Sequence, residues 1–206
     1  MRTEKKSALH KTKATSASVY QLRIELDGIT PLVWREVWIA GASSLIQLHH
    51  AIQAAMGWTD AHLHEFRIGD VVYATPHPED APERKIKDER RVKLHKTLGA
   101  ITRFAYLYDF GDSWQHTITV KEIAPLPKYP RGSAFVSAGA RACPPEDAGG
   151  FYGYQEFLDR YASSRRSSAV REFLQWAGED FDPDRFDRHA ANAALQRMAW
   201  NRWGEE

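Results

Sequence analysis

Alternating apolar and polar residues dominate the first two thirds of the chain, and a helical period takes over in the last quarter. Residues 19–26, VYQLRIEL, put Tyr20, Leu22, Ile24 and Leu26 on one face of a strand. Residues 33–39, VWREVWI, form a second strand with Trp34 and Trp38 on the same side. Gly28 and Pro31 punctuate the short link, which predicts an antiparallel pair. Residues 44–56 read as a helix with legible ends. Ser44 and Gln47 make an S-x-x-Q capping box, Leu45, Leu48, Ile52 and Met56 form the buried stripe, and Gly57 supplies the left-handed cap. His49 lies beside that stripe. Residues 62–68 place His62, His64, Phe66 and Ile68 on one strand face, Gly69-Asp70 turns, and residues 71–74 return. The mixed charges of 79–93 carry no apolar period and predict a solvated loop or an exposed helix edge.

Residues 103–109 and 114–123 alternate around a DFGDS turn. Pairing Tyr108 with Trp114 also pairs Tyr106 with His116 and Phe104 with Ile118, all on one face. A slip of one residue would set the tyrosines opposite Thr117 and Gln115, so the apolar pattern selects the first register. A strand is expected at 134–138, then a Pro-restricted extended segment at 143–147 and a Gly149-Gly150 joint. Helices are expected at 153–162, 168–177 and 188–201, the last capped by Asp187. Hairpins first and helices last predict an α+β fold: antiparallel hairpins forming a sheet with a covering helix at 44–56, followed by a C-terminal helical segment.

Composition narrows the class without naming an activity. The 206 residues fit one domain at 19–206 behind a disordered basic tail at 1–18. Lys plus Arg is 28 and Asp plus Glu is 27, so no global charge pulls the chain toward nucleic acid or an anionic membrane. The local basic excess of the tail is the one feature that suits nucleic acid. No apolar run approaches a membrane span, and the tail lacks the apolar centre of a signal peptide. A single cysteine, Cys143, excludes an internal disulfide, and the expected location is the cytoplasm.

Four blocks in order carry a family resemblance. They are Pro31-Leu32-Val33-Trp34-Arg35; Leu48-His49 through Gly57-Trp58 with His62-Leu63-His64-Glu65-Phe66; Tyr108-Asp109-Phe110-Gly111-Asp112-Ser113-Trp114 with His116; and Cys143-Pro144-Pro145-Glu146-Asp147-Ala148-Gly149-Gly150 with Gly153-Tyr154. Together they resemble the plasmid pRiA4b open-reading-frame-three family, whose members include insertion-element passenger proteins. Ala148 stands where the family pattern has Val. The resemblance implies a compact α+β domain associated with plasmids and mobile elements, and it implies no reaction. A resolvase-like activity finds no support, because no recombinase-type serine or tyrosine motif with its arginines is present.

The blocks concentrate His62, His64, Asp109, Asp112, His116, Glu146 and Asp147 as candidate metal or ligand residues, with Cys143 beside them. His-x-His can offer two imidazoles to a divalent metal and nearby carboxylates can complete the shell; equally, both histidines can be satisfied core residues. Asp109 and Asp112 suit either turn chemistry or a cation. Cys143 is either a buried small residue or a nucleophile with His116 as its base. Glu146 and Asp147 are either caps of the following helix or ligands. Trp34, Trp38, Trp58 and Trp114 are assigned to the core. No P-loop, Cys-x-x-Cys, His-Glu-x-x-His or Gly-x-Ser-x-Gly is present, and Asp-Phe-Gly occurs without the other kinase segments. The leading expectation is a non-enzymatic binding or accessory module with no cofactor, its partner left open between a protein and, through the tail, nucleic acid. The rival is a metal-dependent, hydrolytic enzyme built on the His, Asp and Glu cluster. Either way, the DFGDS tip and the Cys143 segment are expected to meet, because a Pro-Pro segment must find backbone partners elsewhere.

Overall fold

One mixed sheet runs through the molecule. The structure is a computed structural model that describes residues 15–77, 85–126, 134–178 and 180–204. Its eight strands are β1 (Ser18–Leu26), β2 (Trp34–Ala40), β3 (His64–Ile68), β4 (Val71–Ala74), β5 (Ile86–Asp88), β6 (Arg103–Tyr108), β7 (Trp114–Pro125) and β8 (Ala134–Ala140). Their order is β5-β4-β3-β6-β7-β1-β2-β8, antiparallel except for the parallel β4–β5 edge. The helices are α1 (Leu45–Met56), α2 (Leu94–Leu98), α3 (Gly150–Ser163), α4 (Ser168–Ala177) and α5 (Arg188–Asn201).

The three expected hairpins are present, and β6 meets β7 in the register set by the apolar pattern: Phe104 with Ile118, Tyr106 with His116, Tyr108 with Trp114. The α1 cap is also as expected. Ser44 accepts from the Gln47 N–H, the Gln47 side chain accepts from the Ser44 N–H, and Gly57 takes φ 95. Leu45, Leu48, Ile52 and Met56 join Tyr20, Leu22, Ile24, Phe66 and Tyr106 in the core.

Several expectations are corrected. Trp34 and Trp38 are only half-buried, because β2 turns Arg35, Val37 and Ile39 to the core instead. Arg35 is 1% exposed and satisfies its charge on backbone: Nε donates to the Ala55 carbonyl at the end of α1, and a terminal nitrogen donates to the carbonyls of Trp34 and Ala140. Its guanidinium lies over the Phe186 ring. Within the charged stretch, residues 78–84 fall outside the described residues. Beyond them the chain is ordered as β5, a 3-10 turn at Glu89–Arg91 and α2, and Glu89 is fully buried. The strand expected at 62–68 begins at His64, leaving His62 in the preceding loop. The expected tail falls outside the described residues through residue 14. Residues 15–18 are bonded into the sheet: the Leu126 N–H donates to the Ala17 carbonyl, and the Gly41 N–H to that of Ser18.

The expected glycine joint is a close approach. Gly150 has φ +66, and a Cβ there would sit 2.7 Å from the Asp112 carbonyl oxygen. Only glycine lets α3 start against the β6–β7 hairpin tip.

Candidate functional site

The four sequence blocks converge on one end of α1. Trp58 Nε1 donates to the Pro144 carbonyl at 2.9 Å, which supplies a partner for the Pro-Pro segment. Glu146 Oε1 accepts from the Thr59 N–H and from the Tyr108 hydroxyl, each at 3.0 Å. The Ala61 N–H donates in turn to the Tyr108 oxygen. The Asp109 N–H donates to the Leu63 carbonyl, setting the hairpin end beside the loop that carries His62. The expected meeting of 109–116 and 143–147 is therefore present. The Gly111 and Asp112 N–H groups are taken by Asp109 Oδ1, and Glu146 draws on Thr59 and Tyr108. Glu146 and Asp147 do not cap α3, whose N-cap Gly149 has no side-chain cap.

At this corner His62 Nε2 lies 3.4 Å from Asp147 Oδ1, 3.6 Å from Asp109 Oδ2 and 3.8 Å from Glu146 Oε2. The nitrogen is shut off from solvent and makes no hydrogen bond, since these separations exceed the about 3.2 Å limit of an ordinary N–H···O bond. Asp109 is buried, Glu146 is partly buried and Asp147 stands open to solvent. The ligand atoms of His62, Asp109 and Asp147 lie within 4.8 Å of one another. Among the described residues no Lys or Arg forms an ion pair with these three carboxylates. Asp109 and Asp147 both hold the left-handed backbone, φ 56 and φ 57.

The other candidates go elsewhere. His64 shares the tyrosine-bearing face with His62 but turns to Glu89, with Nε2 2.9 Å from Oε2. Its ring stacks on His49 at 3.4 Å and 3°. Asp112 Oδ2 is buried without a partner, and Asp112 is absent from the His62 group. His116 is fully buried between Trp58 and Tyr106, with Nδ1 3.0 Å from the Trp114 carbonyl, so Nδ1 carries the proton. Burial pushes this imidazole down to about 4 and pushes the Cys143 thiol well up. A buried, protonated thiol is no nucleophile, and the Cys143–His116 pairing is set aside.

Sequence reasoning missed a second group, His49, His50 and Asp60. His49 Nε2 is 2.7 Å from Asp60 Oδ1, Nδ1 is 2.8 Å from the Tyr106 hydroxyl, and His50 Nδ1 is 3.5 Å from Asp60 Oδ2. Burial pushes His49 down to about 4. Burial alone would raise Asp60, but the His49 hydrogen bond and the closeness of both imidazoles outweigh it and hold Asp60 below the usual carboxylate range. The one sequence signal was the His-His pair beside the α1 stripe. A cavity of about 320 Å³ opens next to it, between α1 and α5, bordered by His50, Asp60, Trp58, Arg197 and Trp203.

Residues 18–190 match the family described as plasmid pRiA4b ORF-3-like protein. The chain belongs to that family. The uncharacterised protein y4hQ of Sinorhizobium fredii is 39% identical over 189 residues, 89% of this chain and 93% of that protein. A crystal structure of MM3350 from Methanosarcina mazei, a protein of unknown function, superposes with a TM-score of 0.76 at 32% identity, covering 86% of this chain and 98% of that one. The pRiA4b-like fold therefore spans both proteins, and neither brings a defined reaction with it. Among the described residues no helix is long and apolar enough to cross a membrane.

Proposed function

We propose that the chain is a non-catalytic binding module, an accessory protein of its plasmid-associated family, and that its working site is the His62 corner. The ligand is cationic. One observation carries the reading: three carboxylates meet a solvent-shielded, unbonded imidazole nitrogen with no Lys or Arg among the described residues to neutralise them. Like charges gathered this way favour a positive guest.

Binding is favoured over hydrolysis by two features. Cys143, the cysteine of the fourth block, is buried and protonated. The cavities along α1 and α5 that could seat a substrate include neither His62, Asp109 nor Asp147. The mobile-element association, the cytoplasmic location, a protein partner and a nucleic-acid role for the basic tail belong to this proposal and rest on the sequence and the family resemblance.

Calorimetric titration of the full chain with divalent metal salts and with arginine amide tests the site. At least one cation should bind with unit stoichiometry, and His62→Ala with Asp147→Asn should abolish it. Binding that survives both changes would place the site elsewhere.

A further inference from the structure

We propose, resting on the cationic-ligand reading, that the His62 corner is a binding site for one divalent transition-metal ion of the zinc class, held by His62 Nε2, Asp109 Oδ2 and Asp147 Oδ1 with Glu146 Oε2 beside them.

The spacing is the first argument. Two atoms that share a tetrahedral ion at about 2.0–2.2 Å stand about 3.4 Å apart. The observed separations from His62 Nε2, 3.4, 3.6 and 3.8 Å, fall at or slightly above that edge. They are longer than well-formed hydrogen bonds, and the one to the open Asp147 side chain already matches the edge. An octahedral magnesium ion at about 2.1 Å would want edges of about 3.0 Å.

Ligand chemistry is the second. Calcium and magnesium take oxygen shells, whereas an imidazole nitrogen among carboxylates suits zinc, cobalt or nickel.

Support around the ligands is the third. Asp109 Oδ1 is held by the N–H groups of Gly111 and Asp112, leaving Oδ2 to face His62. Glu146 is held by the Thr59 N–H and the Tyr108 hydroxyl. Such outer bonds orient ligands in metal sites. Asp147 is the exposed member, so the ion enters from its side.

The second histidine group provides the contrast. There His49 Nε2 already shares a 2.7 Å hydrogen bond with Asp60, so the group is satisfied without an ion.

An ion at the corner would tie together the loop before β3, the β6–β7 tip and the 143–147 segment, and so would raise the unfolding temperature as its concentration rises.

The test uses Co²⁺ as a visible probe on the purified full chain, with arginine amide as the organic cation. One Co²⁺ should bind with the absorption of a tetrahedral site, be displaced by Zn²⁺, and resist a large excess of Mg²⁺ or Ca²⁺. His62→Ala and Asp147→Asn should each weaken binding by at least the about 10–100-fold that loss of an outer-shell partner costs, while His50→Ala leaves it unchanged. Circular dichroism confirms that the variants fold, and Asp147, being exposed, is the safer of the two. Failure of Co²⁺ and Zn²⁺ to bind, with arginine amide still bound and lost in His62→Ala, would sink the metal and leave the cationic site standing. Failure of both probes would sink both. Co²⁺ binding lost in His50→Ala rather than His62→Ala would also overturn the assignment.

Discussion

The Tyr108 hydroxyl donates to Glu146 at 3.0 Å, and this bond joins the end of β6 to a segment 38 residues away. Burial, and then Glu146 itself, push the phenol well above its ordinary range, so it remains a donor. The same carboxylate accepts from the Thr59 N–H.

The load of this latch therefore falls on Glu146. Glu146→Ala should destabilise the fold by about 2 kcal/mol, the scale of losing charged hydrogen bonds, one of them from the buried Tyr108. Tyr108→Phe should cost about 1 kcal/mol, and the double variant should show coupling of about 1 kcal/mol. Asp147 is mostly exposed and lies 3.4 Å from His62 as its nearest ionic neighbour. Asp147→Ala should change stability by under about 0.5 kcal/mol. Urea denaturation of the four proteins checks this; equal losses at 146 and 147 would contradict it.

Arg35 explains why a Trp-Arg pair stands on β2. It is a buried cation held by three backbone carbonyls and the Phe186 face. Burial lowers its guanidinium to about 10, and it stays charged at neutral pH. Arg35→Met should cost about 3 kcal/mol, because those carbonyls lose their donors in the core. Arg35→Lys should recover little, since one ammonium cannot reach carbonyls spread around the edge of the guanidinium plane. Midpoints of urea melts read this directly, and a lysine variant as stable as the parent would disprove the fork geometry.

Acid should weaken the protein in two separate windows. His49 and His116 are pushed by burial down to about 4 in the fold, against about 6.5 in the unfolded chain. Between those values the unfolded state binds more protons, so stability is lost as pH falls from about 6.5 to about 4. Each histidine contributes a slope of up to about 1.4 kcal/mol per pH unit. Asp60 is depressed in the fold in the same direction, so its contribution is also lost as pH falls, but only below the ordinary carboxylate value of about 3.9. Urea midpoints across pH 4–7 should slope upward with pH, and His116→Gln should flatten the slope by one proton. A midpoint rising as pH falls would mean charged imidazoles in the core.

What the sequence made legible was what local pattern dictates. The β6–β7 register followed from alternation alone, and the α1 capping box followed from Ser44 and Gln47. The meeting of the hairpin tip with 143–147 followed from unsatisfied backbone, although the actual donors, Thr59 and Tyr108, are tertiary neighbours that no spacing reveals. Of the candidate residues, His62, Asp109, Glu146 and Asp147 gather, while His64 parts from His62 because β3 starts at His64 and carries it toward Glu89. Residues 86–98 were illegible for a physical reason. Three-residue β5, the 3-10 turn and five-residue α2 are too short for any period, and Glu89 is buried by its partners rather than by its own character.

Glu89 gives the last expectation. It is 0% exposed, with Oε2 2.9 Å from His64 Nε2 and Oε1 accepting from the Thr75 hydroxyl at 2.9 Å. His64 in turn stacks on His49, whose far edge reaches Asp60. The row Asp60, His49, His64, Glu89 thus runs from the loop after α1 to the sheet edge at β4 and β5. Removing Glu89 leaves the His64 imidazole and the Thr75 hydroxyl without their shared partner, whereas Gln keeps an acceptor for one of them. Glu89→Ala should cost about 3 kcal/mol and Glu89→Gln about half of that. The loss should be local at first: amide exchange in β4 and β5, the edge strands that the 3-10 turn follows, should speed up before that of β1 and β7 at the sheet centre. Uniform acceleration in all four strands, or none with either variant, would show that the buried carboxylate does not pin this edge.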